Sequence, residues 1–131
     1  MKYQFYRKIG LFEATLYLEN QHINDPSSEM YLAPTAEVCV FGEFSPLDPW
    51  NVHVPCIYCP YYKCFKADIM IRTGQQFKFV ISGRHVDNAY IISERYPFCL
   101  DDLGNINNVF IPAQIQRVNS RRKPSQNYDN R

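Results

Sequence analysis

Phe65-Lys-Ala-Asp-Ile-Met-Ile-Arg-Thr-Gly-Gln-Gln-Phe-Lys-Phe-Val-Ile81 is the stretch that decides how this chain folds. In its first half Phe65, Ala67, Ile69 and Ile71 occupy alternate positions; in its second half Phe77, Phe79 and Ile81 do. Successive side chains of a strand point to opposite sides, so each half describes a strand with one buried face. The break between them, Arg72-Thr-Gly-Gln75, is short and carries a glycine able to adopt positive φ. It is expected to close the two strands into an antiparallel hairpin.

Outward from that stretch the same grammar continues. Ala36-Glu-Val-Cys-Val-Phe41 is a short β-rich run that stops at Gly42, with Cys39 on the face opposite Val38 and Val40. Leu11-Phe-Glu-Ala-Thr-Leu-Tyr-Leu18 fits a strand or two helical turns equally well, and residues 2–8 are a candidate edge strand. Ala89-Tyr-Ile-Ile92 is another short strand, and Asp101 to Ile111 closes the β region. Between them Phe44 to Cys64 carries Pro46, Pro49, Pro55 and Pro60. Each proline removes a ladder donor and fixes φ, so this segment is expected to be irregular. Irregular connections of that length usually serve binding, docking or a metal. From Gln114 the chain turns polar and basic, a composition that does not bury itself.

With 131 residues the chain holds one domain large enough for a single core. Aromatic residues make up 15%, nearly all Tyr and Phe, which suits a sandwich or barrel. A net charge of +1 removes the electrostatic case for nucleic acid as the main partner. No apolar run reaches the ~20 residues that span a bilayer, and the N-terminus lacks the apolar core of a secretory signal. An intracellular address is expected, in the cytoplasm or an organelle.

Chemistry concentrates in the proline-rich segment. His53, Cys56, Cys59 and Cys64 supply one imidazole and three thiolates, a sound tetrahedral zinc set, although ligand pairs usually sit farther apart. The alternatives are thiols buried among Tyr58, Tyr61, Tyr62 and Phe65, or a disulfide, which reducing conditions oppose. Cys39 and Cys99 read as structural. His22, His53 and His85 have no nucleophile motif around them, and Gly74, Gly83 and Gly104 are isolated turn glycines, not a phosphate loop. Asp101 and Asp102, being adjacent, are expected to accept backbone donors in a turn. The chain does not read as an enzyme.

In order, the pieces Val38-Cys-Val-Phe-Gly-Glu-Phe-Ser45, Phe65 to Ile71, Gly74, Phe77-Lys-Phe-Val-Ile-Ser-Gly83 and Asp102-Leu-Gly-Asn-Ile-Asn-Asn-Val109 resemble a known family. It is the glycogen-binding domain of AMP-activated protein kinase β subunits and its starch-binding carbohydrate-module relatives. The resemblance covers about residues 36–112. It implies an all-β, immunoglobulin-like antiparallel β-sandwich there, an N-terminal extension over 1–35 with possible edge strands, and a polar basic tail over 113–131. Such modules hold α-glucans by stacking sugar faces on two tryptophans, with a lysine, a leucine and an asparagine beside them. Lys78, Leu103 and Asn107 fall on those last three positions. His85 stands at the second tryptophan's place and Leu47 at the first, with Trp50 three residues on and Tyr90 as a further substitute. Lys78 also has a plainer account as the solvent-facing residue of a half-buried strand, and Asn107-Asn108 as turn chemistry.

The altered aromatic positions point first to a non-catalytic accessory subunit, a sandwich reused for docking to other protein subunits through Tyr58, Tyr61, Tyr62, Arg121, Arg122 and Lys123. A retained α-glucan-binding module, using Trp50, Lys78, His85, Tyr90, Leu103 and Asn107, is the second expectation. A zinc-stabilised interaction module is the third.

Overall fold

The structure, a computed structural model, describes residues 10–82 and 89–112. Among these there is no helix; nine strands form two antiparallel sheets, an all-β arrangement consistent with a β-sandwich. The strands are β1 (Leu11–Leu18), β2 (Glu37–Gly42), β3 (Val54–Pro55), β4 (Ile57–Cys59), β5 (Cys64–Arg72), β6 (Gln76–Ser82), β7 (Ala89–Ile91), β8 (Phe98–Leu100) and β9 (Ile106–Val109). The small sheet runs β1-β5-β4. The large one runs β3-β2-β6-β9-β8, with β7 also paired to β6.

The core is what the alternation demands. Leu16 and Leu18 of β1 and Phe65, Ala67, Ile69 and Ile71 of β5 meet Val38, Val40, Phe77, Phe79 and Ile81 of the large sheet in one buried cluster. The β1 segment is a strand, since all eight of its residues pair with β5, from Leu11 opposite Arg72 to Leu18 opposite Phe65. Helical turns there would leave β5 without its partner along one whole side. The extension expected over 1–35 therefore contributes an edge strand to the small sheet. The candidate edge strand at 2–8 lies outside the described residues.

Two expectations are corrected. β5 and β6 are not a hairpin: they belong to different sheets, and the chain crosses from one to the other at Arg72–Gln75. Gln75 N–H closes this turn onto the Arg72 carbonyl, Gly74 takes φ +88°, and the Gly74 N–H reaches across to the Phe110 carbonyl. The physical reason is parity. A four-residue hairpin would set Ile71 opposite Gln76 and turn the two apolar faces to opposite sides of one sheet. Crossing between sheets lets both faces meet in the core. The second correction concerns Phe44 to Cys64, which holds two short strands, β3 and β4. Pro55 is tolerated because β3 is the edge of the large sheet.

Two close approaches fix the large sheet. Gly42 lies opposite Phe77, and a Cβ there would sit 2.4 Å from the Gln76 carbonyl oxygen, so only glycine admits this contact. Asn108 is fully buried; its Oδ1 accepts the Ser93 N–H at 2.7 Å and its Nδ2 donates to the Ser93 carbonyl at 2.9 Å. It ties the segment after β7 to β9 and is a structural amide, beyond mere turn chemistry.

Candidate functional site

Three of the six residues assigned to a saccharide surface converge on the outer face of the large sheet. On β2, Val38 and Val40 point into the core, so Phe41 points outward, directly across from Lys78 of β6. Around the Phe41 ring stand Trp50, His53 and Tyr90, with centroids at 5.5, 4.9 and 5.8 Å. Tyr90 comes from β7, opposite Val80, and that outward-facing valine is fully covered.

Trp50 is held with unusual rigour. Its φ is +69°, a conformation that bulky side chains rarely adopt and that costs of order 1–3 kcal/mol. The surroundings impose it. Trp50 N–H donates to the Gly42 carbonyl at 2.8 Å, and the turn is closed by Asn51 onto Asp48 through backbone (3.2 Å) and side chain (2.7 Å). The indole stands edge-on to Phe41 at 78°. The result is a patch of aromatic rings beside a cationic Lys78, presented on strands and a locked turn.

The other assigned positions do not join it as expected. Asn107 is buried; its Nδ2 donates to Gln76 Oε1 at 3.0 Å and also lies 3.4 Å from Asp101 Oδ2, so its amide is already engaged. Leu103 is exposed in the turn between β8 and β9, and Leu47 is exposed as well. Asp101 organises that turn as anticipated, accepting the Leu103 and Asn105 N–H groups, both at 2.9 Å. The Asn105 N–H above all, then that of Leu103, holds its carboxyl below the ordinary carboxylate range. His85, Arg121, Arg122 and Lys123 lie outside the described residues. Phe41 and His53 belong to the aromatic patch although neither was assigned to it.

The zinc set is not assembled: among the described residues no three His, Cys, Asp or Glu side chains come together as metal ligands. His53 lies on Phe41 at the outer face of the large sheet. Cys56 N–H bonds the Val38 carbonyl, and its side chain packs against the core. Cys59 and Cys64 face each other across the β4–β5 hairpin on the small sheet. The fold thus divides the four donors, with His53 on the outer face of the large sheet, Cys56 against the core, and Cys59 and Cys64 paired on the small sheet. All five cysteines are free thiols. Burial, with a smaller push from Cys39, moves the Cys56 thiol up to about 12, and burial also raises Cys39 and Cys64.

The tyrosines divide likewise. Tyr58 turns inward onto Phe65 and packs, partly buried, against the core. Tyr61 is 84% exposed at the hairpin tip, its ring edge-on to Tyr62, which in turn meets Tyr17. Arg95 lies over the Tyr17 ring at 4.6 Å and pairs with Glu19 at 2.8 Å.

No family model matches this chain, and no curated protein matches it either. Among the described residues no helix is long and apolar enough to cross a membrane.

Proposed function

We propose that this chain is a non-catalytic α-glucan-binding module that takes its ligand on the aromatic patch of the large sheet. The observation that carries the reading is the convergence of Trp50, His53 and Tyr90 on Phe41, with Lys78 directly across the strand pair. Aromatic faces are negative at the centre and sugar C–H groups weakly positive, so flat rings select the apolar side of a pyranose. Lys78 supplies a donor for ring hydroxyls. This reading takes the sandwich as immunoglobulin-like, the form implied by its resemblance to glycogen-binding domains, and sets the module inside a cell where glycogen or starch is stored. Relative to that resemblance, the grip is rebuilt around Phe41 and does without the Asn107 amide.

Trp50 is the single tryptophan of the chain, so its emission reports on the patch alone. Titration with a cyclic maltooligosaccharide is expected to shift that emission with a Kd in roughly the millimolar range, and Lys78→Ala or Tyr90→Ala to weaken it about tenfold. Unchanged emission and no retention on glycogen would overturn the reading.

A second reading, an accessory subunit docked in a larger protein assembly, is favoured by the exposed Tyr61 and Tyr62. It predicts that replacing both by alanine abolishes the assembly in native mass spectrometry and leaves glucan binding intact.

A further inference from the structure

The two sheets are unequal in width. β1 is the outer edge of the small sheet, and among the described residues nothing pairs with it beyond β5. Backbone groups alternate sides along a strand. The Gly10 carbonyl accepts from Thr73 N–H, so Gly10 and the even-numbered residues of β1 turn toward β5. Tyr17, of opposite parity, turns away: its N–H donates to Tyr96 Oη at 2.8 Å and its carbonyl accepts from Ser93 Oγ at 2.8 Å. Leu11, Glu13 and Thr15 therefore present their N–H and C=O groups outward, with Tyr96 and Ser93 forming a stop at one end.

The large sheet extends past this edge. Phe12 touches Phe110 just beyond β9, and Tyr96, just before β8, reaches β1, so β8 lies on the side where the small sheet ends. Phe98 sits opposite Asn108, which shares the inward face of Phe77; Leu100 and Ile106 have the same parity. These three side chains face the side on which the small sheet lies, yet they are 64%, 67% and 43% exposed. Among the described residues the small sheet has no strand that would cover them.

We propose that this step is a docking site for one extended segment of another polypeptide, which adds to β1 as a further strand. Its chemistry follows from the walls. Apolar residues at alternate positions would face the Phe98, Leu100 and Ile106 side. The intervening residues, whose backbone pairs with Leu11, Glu13 and Thr15, would lie on the outer face. There Glu13 is exposed, and Asp68 accepts a hydrogen bond from Thr15 Oγ1 at 2.5 Å. Glu13 is the charge nearest an incoming strand, since Asp68, Arg72 and Lys66 share this face one strand further in, opposite Thr15, Leu11 and Tyr17; it favours arginine or lysine directly opposite it. The same glutamate opposes a second copy. Two-fold pairing of β1 with itself, limited to Leu11–Thr15 by the stop at Tyr17, sets Glu13 against Glu13, and like charges directly opposed are destabilising. Natural edge strands are commonly guarded by lysine, proline or a bulge, and β1 has none of these. Strand addition of this type draws affinity from main-chain bonds and specificity from alternate side chains. The site is remote from the aromatic patch and does not depend on the glucan reading.

The test uses the full chain and a blocked seven-residue peptide of alternating valine and arginine. On addition of peptide, amide exchange of Glu13 and Thr15 is expected to slow about tenfold or more, with that of Ala14, already in the β1–β5 ladder, unchanged. N-methylation of the arginines abolishes binding, and N-methylation of the valines is tolerated. Glu13→Lys weakens the arginine peptide about fivefold and favours a glutamate counterpart. Three results would overturn the proposal. One is no protection at about 1 mM peptide, and another is full protection of Glu13 and Thr15 in the free protein at every concentration, the mark of an edge covered by the chain itself. The third is protection that rises with protein concentration alongside a dimer in sedimentation, the mark of a second copy.

Discussion

Two exposed aromatic clusters sit on opposite outer faces of the sandwich, and they are built differently. The Phe41 cluster gathers rings from β2, β7 and the turn at Asp48–Asn51 around one hub, with a positive-φ tryptophan bolted to Gly42. The Tyr17–Tyr61–Tyr62 cluster hangs from a hairpin tip where Lys63 takes φ +55°. The first is fixed before any ligand arrives and loses little side-chain freedom on binding. In the second, Tyr61 is 84% exposed at the hairpin tip, and immobilising such a side chain costs about 0.5–1.5 kcal/mol. A patch fixed by its backbone suits a small, repetitive ligand; an exposed hairpin tip suits a protein contact.

The contrast is broken most severely at Gly42. Gly42→Ala drives a methyl into the Gln76 carbonyl, parting β2 from β6 and displacing the Trp50 anchor. It should cost about 3 kcal/mol in chemical denaturation and blue- or red-shift the Trp50 emission in the still-folded fraction. Next in size is an alkaline effect under the second cluster. Burial pushes Tyr96 up to about 12 from an ordinary value of 10.0. Below pH 10 the hydroxyl is neutral in folded and unfolded chains, so its contribution is complete. Between about 10 and 12 the unfolded chain ionises first, and about 2–3 kcal/mol should be lost as pH rises. Denaturant midpoints across that window should fall steeply in the native protein and less in Tyr96→Phe; Cys56 adds to the fall in both.

Smaller effects sharpen the comparison. Phe41→Ala removes three ring contacts at once and should cut glucan affinity about tenfold or more, whereas Tyr61→Ala should change neither affinity nor stability beyond about 0.5 kcal/mol. Lys63→Gly relieves the hairpin backbone and should raise stability by about 0.5 kcal/mol, read as a small rise in melting temperature.

Much of this was legible from residue order. Alternation named the core of β5 and β6 correctly, and the β-branched run at Val38–Val40 named β2. The connection between β5 and β6 was misjudged because glycine and shortness describe many turns. Counting parity from Ile71 to Phe77 would have shown that a four-residue hairpin splits the apolar faces. The Cys and His spacing suggested zinc because spacing along a chain ignores which sheet the fold carries each residue to. For the aromatic patch, Trp50 was singled out as lying three residues from one tryptophan position of the family the sequence resembles, Tyr90 as a further aromatic substitute, and Lys78 as falling on its lysine position. Phe41 was missed, although its parity with Cys39 placed it outside. The engagement of Asn107 by Gln76 was beyond reach, since that bond spans 31 positions of sequence.

The raised thiols of Cys39, Cys56 and Cys64 have a practical corollary. Electrophiles attack thiolates, so Cys56, pushed up to about 12, and the buried Cys64 react slowly with maleimides until local structure opens. Counting adducts by mass over time would give the molecule an internal clock for breathing of the β4–β5 hairpin, where Cys64 sits, and of the β3–β4 corner around Cys56.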